Sequence, residues 1–305
     1  MSKFLITIVG PTAIGKTSLA IKLAKKYKTE VISADSRQFY RELNIGTAKP
    51  SKDELSSVKH HLINNISVTD KYDISHFESD ARKIIDNLFK TKDYVILVGG
   101  SGLYIDTILY GIDKIPNVED SLRKKLNQEF QNNGLKNLLA QLKKIDPVTY
   151  KNIDLSNHRR IIRALEVSIS SKKPYSSFLT NSVKASNYNE IIIGLNCDRD
   201  KLHSLINKRV DKMIKCGLIE EVKKLEKFKN LNALNTIGYK EIFDYLNNKT
   251  SLEESIEKIK TNSRRYAKRQ LTYFNSNKKI NWFENQYEIK NIIKLIESRN
   301  ELLNN

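Results

Sequence analysis

A glycine-bounded loop near the start of the chain has the residue types and spacing of a phosphate-binding loop. Residues 10–17 read GPTAIGKT, in which Gly10 is followed at the Walker A spacing by Gly15, Lys16 and Thr17. The glycines allow backbone N–H groups to surround an anion, Lys16 supplies a full charge, and the Thr17 hydroxyl is a typical magnesium ligand. A glycine turn with a surface lysine is the alternative. Because an apolar run precedes the loop and an amphipathic stretch follows it, phosphate binding is favoured.

Two further chemically useful positions also follow apolar stretches. Asp35 comes directly after EVISA at 30–34, and a carboxylate there can take a proton from a nucleophile aimed at a phosphate-bearing substrate. The alternative role is a helix N-cap, which suits Ser36 better than Asp35. The stretch 93–98 ends in Gly-Gly-Ser at 99–101, where a typical nucleoside triphosphatase carries an acid. The missing acid argues against routine ATP hydrolysis, although a tight turn would also explain these glycines.

Arginines are concentrated in NHRRIIRALE at 157–166 and within one amphipathic stretch that holds Arg209. In the first segment, Arg159, Arg160 and Arg163 fall within about one helical turn. Contact with nucleic-acid phosphates and a salt-bridged solvent face both fit this spacing. Arg209 could bind a diphosphate, but its position is explained equally well as ordinary surface charge.

The most basic stretch of the chain is 258–279, with eight basic and no acidic residues. Tyr266, Tyr273 and Phe274 are interleaved with these charges, a pattern typical of nucleic-acid binding. A solvated basic helix is the alternative.

The elements that must position these residues are read from apolar periodicity. A helix is predicted over 16–28, and strands are predicted at 4–9, 30–34, 93–98, 190–195 and 279–283. Strands separated by helical segments predict an α/β fold, a P-loop-containing doubly wound parallel sheet whose ligands bind beyond the carboxyl ends of the strands. The loop, Asp35 and the turn at 99–102 all fall at such ends.

Residues 113–189 differ from their surroundings because they are polar, helical and punctuated by prolines. We therefore predict three segments. The first part of a P-loop catalytic core spans 1–112, a helical insertion spans 113–189, and the second part of the core spans 190–305. Basic helices and a final helix at 284–305 belong to this last segment.

The composition limits the class of protein. The chain has 305 residues and is 39% hydrophobic, which is enough to bury a core. Two cysteines argue against a disulfide scaffold and for a reducing cytoplasm, and no apolar run approaches the ~20 residues of a membrane span. The net charge of +18 favours a polyanionic partner, nucleic acid being the commonest, although a lysine-rich surface is the alternative.

Nine segments taken together resemble one family, the tRNA dimethylallyltransferases, also called tRNA isopentenyltransferases. They are GPTAIGKTSLA, SADSRQFY, GTAKP, HHLIN, VGGSGLYI, NHRRIIRALEV, GLIEEV, IGYKEI and RRYAKRQLTYF. They stand in the family's order and span most of the chain. One departure is Ser101, where the family usually has Thr and where the hydroxyl is retained. No zinc-finger extension of the kind similar eukaryotic enzymes carry is found, so the chain resembles the bacterial type.

The resemblance implies transfer of a dimethylallyl group from dimethylallyl diphosphate to N6 of adenine 37, beside the anticodon of tRNAs that read codons starting with U. Asp35 would be the base, Ser101 would orient the reaction centre, and Lys16, Arg209 and Mg²⁺ held by Thr17 would neutralise the diphosphate. The implied diphosphate-binding residues are Gly10, Pro11, Thr12, Ala13, Ile14, Gly15, Lys16 and Thr17. The implied tRNA-binding residues are Asp35, Ser36, Arg37, Gln38, Ser101, Arg123, Arg159, Arg160, Ile161, Ile162 and Arg163. We expect a cytoplasmic monomer that binds the tRNA anticodon stem-loop and no membrane.

Three other functions compete with this interpretation. A P-loop small-molecule kinase predicts ATP in the loop. An isopentenyltransferase acting on free adenylate would not need the basic stretch 258–279 or the helical insertion. A non-catalytic RNA-binding module would leave Lys16, Thr17 and Asp35 without a role.

Overall fold

The computed structural model describes residues 2–180, 187–284 and 286–304. The chain divides into two compact units. The first unit combines Met1–Leu109 with Ala185–Asn305, and the second is Tyr110–Lys184.

The first unit is built on a six-stranded sheet, whose order is β3-β2-β4-β1-β5-β6 and whose pairings are all parallel. Its strands are β1 (Phe4–Val9), β2 (Val31–Ser33), β3 (His60–His61), β4 (Tyr94–Val98), β5 (Asn189–Asn196) and β6 (Ile280–Glu284). The prediction of an α/β fold with a parallel sheet is confirmed. The two-residue strand β3 was not predicted, because it is too short to show a pattern of its own. β2 is shorter than its predicted range.

Thirteen α-helices occur in the described residues. They are α1 (Lys16–Lys26), α2 (Lys52–Ser57), α3 (Ile74–Leu88), α4 (Gly102–Tyr110), α5 (Asp120–Asn133), α6 (Leu135–Ile145), α7 (Pro147–Asn152), α8 (His158–Ser171), α9 (Arg199–Lys215), α10 (Leu218–Lys224), α11 (Tyr239–Leu246), α12 (Leu252–Asn275) and α13 (Ile289–Asn304). α1 ends two residues before the predicted limit, and Lys28 adopts a left-handed conformation. The predicted tail helix begins later than expected because Glu284 completes β6.

The sheet is buried on both faces, which explains its apolar sequences. In β1, Phe4, Ile6 and Ile8 point to one face and belong to a cluster with residues of α1, α9, α12 and α13. Leu5 and Val9 point to the opposite face and are equally inaccessible to solvent. A parallel strand covered on both sides reads as a continuous apolar run, and β1 is such a strand at the centre of the sheet.

The second unit has its own hydrophobic cluster, formed mainly by α5, α6 and α8. Ile161 and Ile162 of α8 belong to it and are 0% and 4% exposed. This corrects the expectation for these two residues, because side chains in a core cannot contact tRNA. The predicted insertion 113–189 overlaps this unit, but Asn189 begins β5 and donates its N–H to the Lys3 carbonyl at 2.7 Å.

None of the helices in the described ranges is long and apolar enough to cross a bilayer.

Candidate active site at the carboxyl edge of the sheet

The loop after β1 curves through three residues with positive φ. They are Gly10, Ala13 and Gly15, at 140°, 67° and 98°. A Cβ at Gly10 would clash with the backbone carbonyl of Leu195 in β5, so this position requires glycine. Gly15 then caps α1, whose first turn contains no acidic residue. The positive end of the α1 dipole is therefore free to act on an anion held by the loop.

Lys16 is folded back onto the loop. Its Nζ donates to the carbonyl oxygens of Gly10 and Pro11 at 3.0 and 2.7 Å. Burial, the largest cause, and the charge of Arg209 together lower the pKa of Lys16 to about 7, against the opposing effect of Asp35. An anion bound here would be stabilised by the ammonium and would in turn favour the protonated amine.

Arg209 of α9 completes the charged group. Burial lowers the pKa of Arg209, and the carboxylate of Asp35 acts against this change. The Asp35 Oδ1 accepts the N–H of Arg37 at 2.9 Å, which holds the carboxylate at the end of the segment that follows β2. The structure therefore brings Lys16, Arg209 and Asp35, predicted from three distant segments, within range of one another's charges.

Ser101 lies across from this segment, directly after β4. Its Oγ accepts the N–H of Ser36 at 3.3 Å. The hydroxyl of Tyr266 of α12 lies close to the Ser101 side chain, and burial and the charge of Asp35 raise the pKa of Tyr266. The predicted catalytic hydroxyl thus stands between the Asp35 segment and α12.

α12 reaches the loop through Gln270, a residue that the sequence analysis missed. The N–H of Thr12 donates to Gln270 Oε1 at 2.9 Å, and Gln270 Nε2 donates to the carbonyl of Gly100 at 2.8 Å. The stretch 258–279, predicted to bind nucleic acid with a solvated basic helix as the alternative, therefore also lines the site. The spacing of Tyr266 and Gln270, four residues apart on one helical face, is the signal that could have indicated this.

The segment that carries Asp35 is held in place by side-chain hydrogen bonds, to backbone carbonyls and to a neighbouring side chain. Arg37 Nη1 donates to the carbonyls of Asn232 and Ala233 at 3.1 and 3.4 Å. Gln38 accepts from Ser33 Oγ at 3.3 Å. Both side chains, which we predicted to bind tRNA, are thus already engaged within the first unit.

Three of the recognised sequence segments meet at Glu221. Its carboxylate accepts the N–H groups of Asn44, Ile45 and Gly46, at 3.2, 2.8 and 3.1 Å, and the hydroxyl of Tyr239 at 2.6 Å. A Cβ at Gly46 would clash with the Tyr239 ring. GTAKP, GLIEEV and IGYKEI therefore form one structural support near the Asp35 segment.

In the second unit, the predicted arginines divide into two kinds. Arg123 and Arg163 both bind the fully buried carboxylate of Glu166, at 2.5 and 2.6 Å. Burial alone would raise the pKa of Glu166, but these two guanidinium groups hold it below its ordinary value. The two side chains stay 53% and 38% exposed, so their outer edges remain accessible to phosphates. Arg159 and Arg160 are exposed at the start of α8.

The donor set at the loop limits how a metal could be held. Across the described ranges, no group of three or more His, Cys, Asp or Glu side chains is arranged to hold a metal ion. Thr17 offers one half-buried hydroxyl at the start of α1. Mg²⁺ commonly keeps several waters and takes its remaining ligands from substrate phosphates, so a single hydroxyl beside a diphosphate fits that ion.

Comparison with known proteins shows which family this chain resembles. Residues 38–277 match a family model described as IPP transferase. The chain is 50% identical to the tRNA dimethylallyltransferase of Christiangramia forsetii over 299 residues, 98% of this chain and 99% of that protein. It is 46% identical to the tRNA dimethylallyltransferase of Flavobacterium johnsoniae over 300 residues, 96% of this chain and 97% of that one.

Solved structures similar to this chain come from the same family. The full-length tRNA isopentenylpyrophosphate transferase of Bacillus halodurans is 37% identical, with a TM-score of 0.70 over 100% of this chain and 96% of that chain. A eukaryotic dimethylallyltransferase acting on tRNA is 27% identical, with a TM-score of 0.78 over 93% of this chain and 74% of that chain. These findings confirm the resemblance carried by the sequence segments, and the chain belongs to the IPP transferase family.

Proposed function

We propose that this protein transfers a dimethylallyl group from dimethylallyl diphosphate to N6 of adenine 37 of tRNAs that read codons starting with U, giving N6-(dimethylallyl)adenosine. The observation that carries the proposal is that two half-buried cations, Lys16 and Arg209, lie within electrostatic range of a single carboxylate, Asp35, beside a glycine loop. Two cations match a diphosphate, and the carboxylate can accept a proton. The relatives named for this activity support the same reaction.

In the proposed reaction, the bond between the allylic carbon and the diphosphate oxygen breaks as a bond from N6 to that carbon forms. Lys16 and Arg209 stabilise the negative charge that develops on the departing diphosphate. Asp35 accepts the proton that N6 loses, which matters because an aromatic amine is a weak nucleophile. Ser101 orients the reacting groups. Thr17 would hold Mg²⁺, which supplies further positive charge to the diphosphate when it is bound.

The acceptor must leave its stack to reach this edge of the sheet, because a stacked adenine cannot enter a pocket. We assign Ser36, Arg37 and Gln38, which neighbour Asp35, to the surroundings of the flipped base. In the second unit, the exposed edges of Arg123 and of the α8 arginines contact tRNA phosphates, which position the substrate without reading its sequence. We also propose that the reaction takes place in the cytoplasm and that a single chain is active.

The proposal is tested by incubating the protein with unmodified tRNA, labelled dimethylallyl diphosphate and Mg²⁺. We expect label in tRNA, released on nuclease digestion as one modified adenosine, and no transfer to free AMP. Turnover of ATP without label in tRNA would instead indicate a P-loop kinase. Label in AMP but not in tRNA would indicate an isopentenyltransferase of free adenylate, and tRNA binding without transfer would indicate an RNA-binding module.

A further inference from the structure

Gln270 is a buried neutral amide in the most basic stretch of the chain. It is 6% exposed, whereas its neighbours Lys268 and Arg269 are exposed. Both ends of the amide are used, the oxygen by the N–H of Thr12 and the nitrogen by the carbonyl of Gly100. These two backbone groups follow β1 and β4, so one side chain from α12 joins the ends of two neighbouring strands.

The chemistry of the contact selects glutamine. A carboxylate at this position could accept from Thr12 but would face the Gly100 carbonyl oxygen, and a lysine would leave the Thr12 N–H without an acceptor. A carboxylate would also place negative charge near Lys16, whose Nζ lies 3.6 Å from where a Gly100 Cβ would stand. The amide alone satisfies both backbone groups and leaves the charge of the site unchanged.

Glycine at position 100 makes this contact possible. A Cβ there would clash with the Gln270 amide nitrogen, and a Cβ at Gly102 would clash with the ring of Tyr273 on the same helix. The absence of an acid after β4 therefore has a structural consequence: α12 approaches the backbone where a triphosphatase would carry a carboxylate.

We propose that Gln270 is a positioning residue for the transfer reaction, fixing the diphosphate loop at a set distance from the turn that carries Ser101. Tyr266, one helical turn earlier on the same face of α12, lies close to the Ser101 side chain. One helix therefore holds both the leaving-group side and the acceptor side of the site in register. This inference rests on the proposed function, since it assigns the loop to the diphosphate.

The test compares Gln270→Met and Gln270→Glu with Gln286→Met, which makes the same substitution at an exposed position. The first measurement is the Kd of inorganic pyrophosphate with Mg²⁺, by titration calorimetry. In Gln270→Met the loop is no longer tied to the turn after β4, so ligand binding must bring the two into register, and pyrophosphate binding should weaken by up to roughly 30-fold, the equivalent of both hydrogen bonds. We expect Gln270→Glu to bind more weakly still, because its charge repels the ligand, and Gln286→Met to stay within about twofold of wild type.

The second measurement separates positioning from general loosening of the fold. In Gln270→Met we expect kcat for transfer to fall and KM for tRNA to stay within about twofold of wild type. Wild-type pyrophosphate affinity and kcat in Gln270→Met would overturn the proposal. So would better pyrophosphate binding by the isosteric Gln270→Glu than by Gln270→Met, because a purely space-filling role predicts that order.

The two proposals fail in different ways. Pyrophosphate binding needs no transfer and no tRNA, so the Gln270 variants can be judged even if wild type transfers nothing. Absence of labelled tRNA with wild type would contradict the proposed function alone. Unaltered pyrophosphate affinity in folded Gln270 variants of an active enzyme would contradict only the role of Gln270.

Discussion

Lys16 should make diphosphate binding depend on pH in a way that arginine at the same position cannot. Because its pKa is about 7, the amine is about half protonated at pH 7 before the ligand arrives. A bound diphosphate raises that pKa, since the opposite charge favours the ammonium. Binding then takes up about 0.5 proton at pH 7 and about 0.9 at pH 8.

The sign of the dependence follows from these protonation states. Affinity is highest about one pH unit or more below 7, where the amine is already charged, and falls as pH rises through 7. The decline approaches about tenfold for each pH unit until the pKa of the bound state is reached. In Lys16→Arg the guanidinium is charged throughout this pH range, so residue 16 no longer contributes to the change of affinity with pH.

The assay is calorimetric titration of wild type and Lys16→Arg with inorganic pyrophosphate and Mg²⁺ at pH 6, 7 and 8. Two buffers with different ionisation enthalpies report the protons taken up at each pH. Protons that belong to pyrophosphate itself cancel in the comparison between the two proteins. Equal slopes and equal proton uptake in wild type and Lys16→Arg would refute the reasoning, because Lys16 would then not change its charge when the anion binds.

Three other predictions concern the proposed base Asp35, the buried carboxylate Glu166 that binds two arginines, and the hydrogen bond between Tyr239 and Glu221. Asp35→Asn keeps an acceptor for its backbone N–H partner but removes the base. We expect the rate of transfer to fall at least about 100-fold, with tRNA affinity near wild type in filter binding. Full activity of this variant would exclude Asp35 as the base. Glu166→Ala removes the buried carboxylate that binds Arg123 and Arg163, and the two guanidinium groups left behind are half exposed and can be solvated. Urea denaturation should therefore show a loss of about 1 kcal/mol, less than the cost of an unpaired buried charge, and no loss would mean that the two pairs do not stabilise the fold. Tyr239→Phe removes only the hydroxyl that binds Glu221, and we expect the free energy of unfolding to drop by about 1 kcal/mol, with no change if that hydrogen bond is not made.

The fold was predictable where burial of an element produces a simple sequence pattern, such as a continuous apolar run. β1, β4 and β5 are covered on both faces and read as apolar runs, whereas the two residues of β3 pair only because β2 lies beside them. The arrangement of helices and strands was therefore easier to predict than the short elements at the sheet edge.

The site was predictable where side-chain type alone carries the chemistry. The spacing of the loop and the single carboxylate at Asp35 indicated their roles. Gln270 did not, because its partners are backbone groups that no sequence pattern marks, and its neighbours in sequence are basic. Ile161 and Ile162 were assigned to tRNA binding with the whole segment 159–163, although the helical period places them on the packed face of α8, opposite the exposed arginines.

The central position of β1 has a consequence for how the nascent chain acquires its structure. β1 pairs with β4 on one side and with β5 on the other. β5 is synthesised only after the whole second unit. Until then, the backbone N–H and C=O groups along one edge of β1 have no strand to pair with. The second unit, whose hydrophobic cluster is drawn from its own residues, can collapse during that interval. Completion of the sheet is thus a late event in synthesis, and until then the open apolar edge is the part of the molecule most exposed to aggregation.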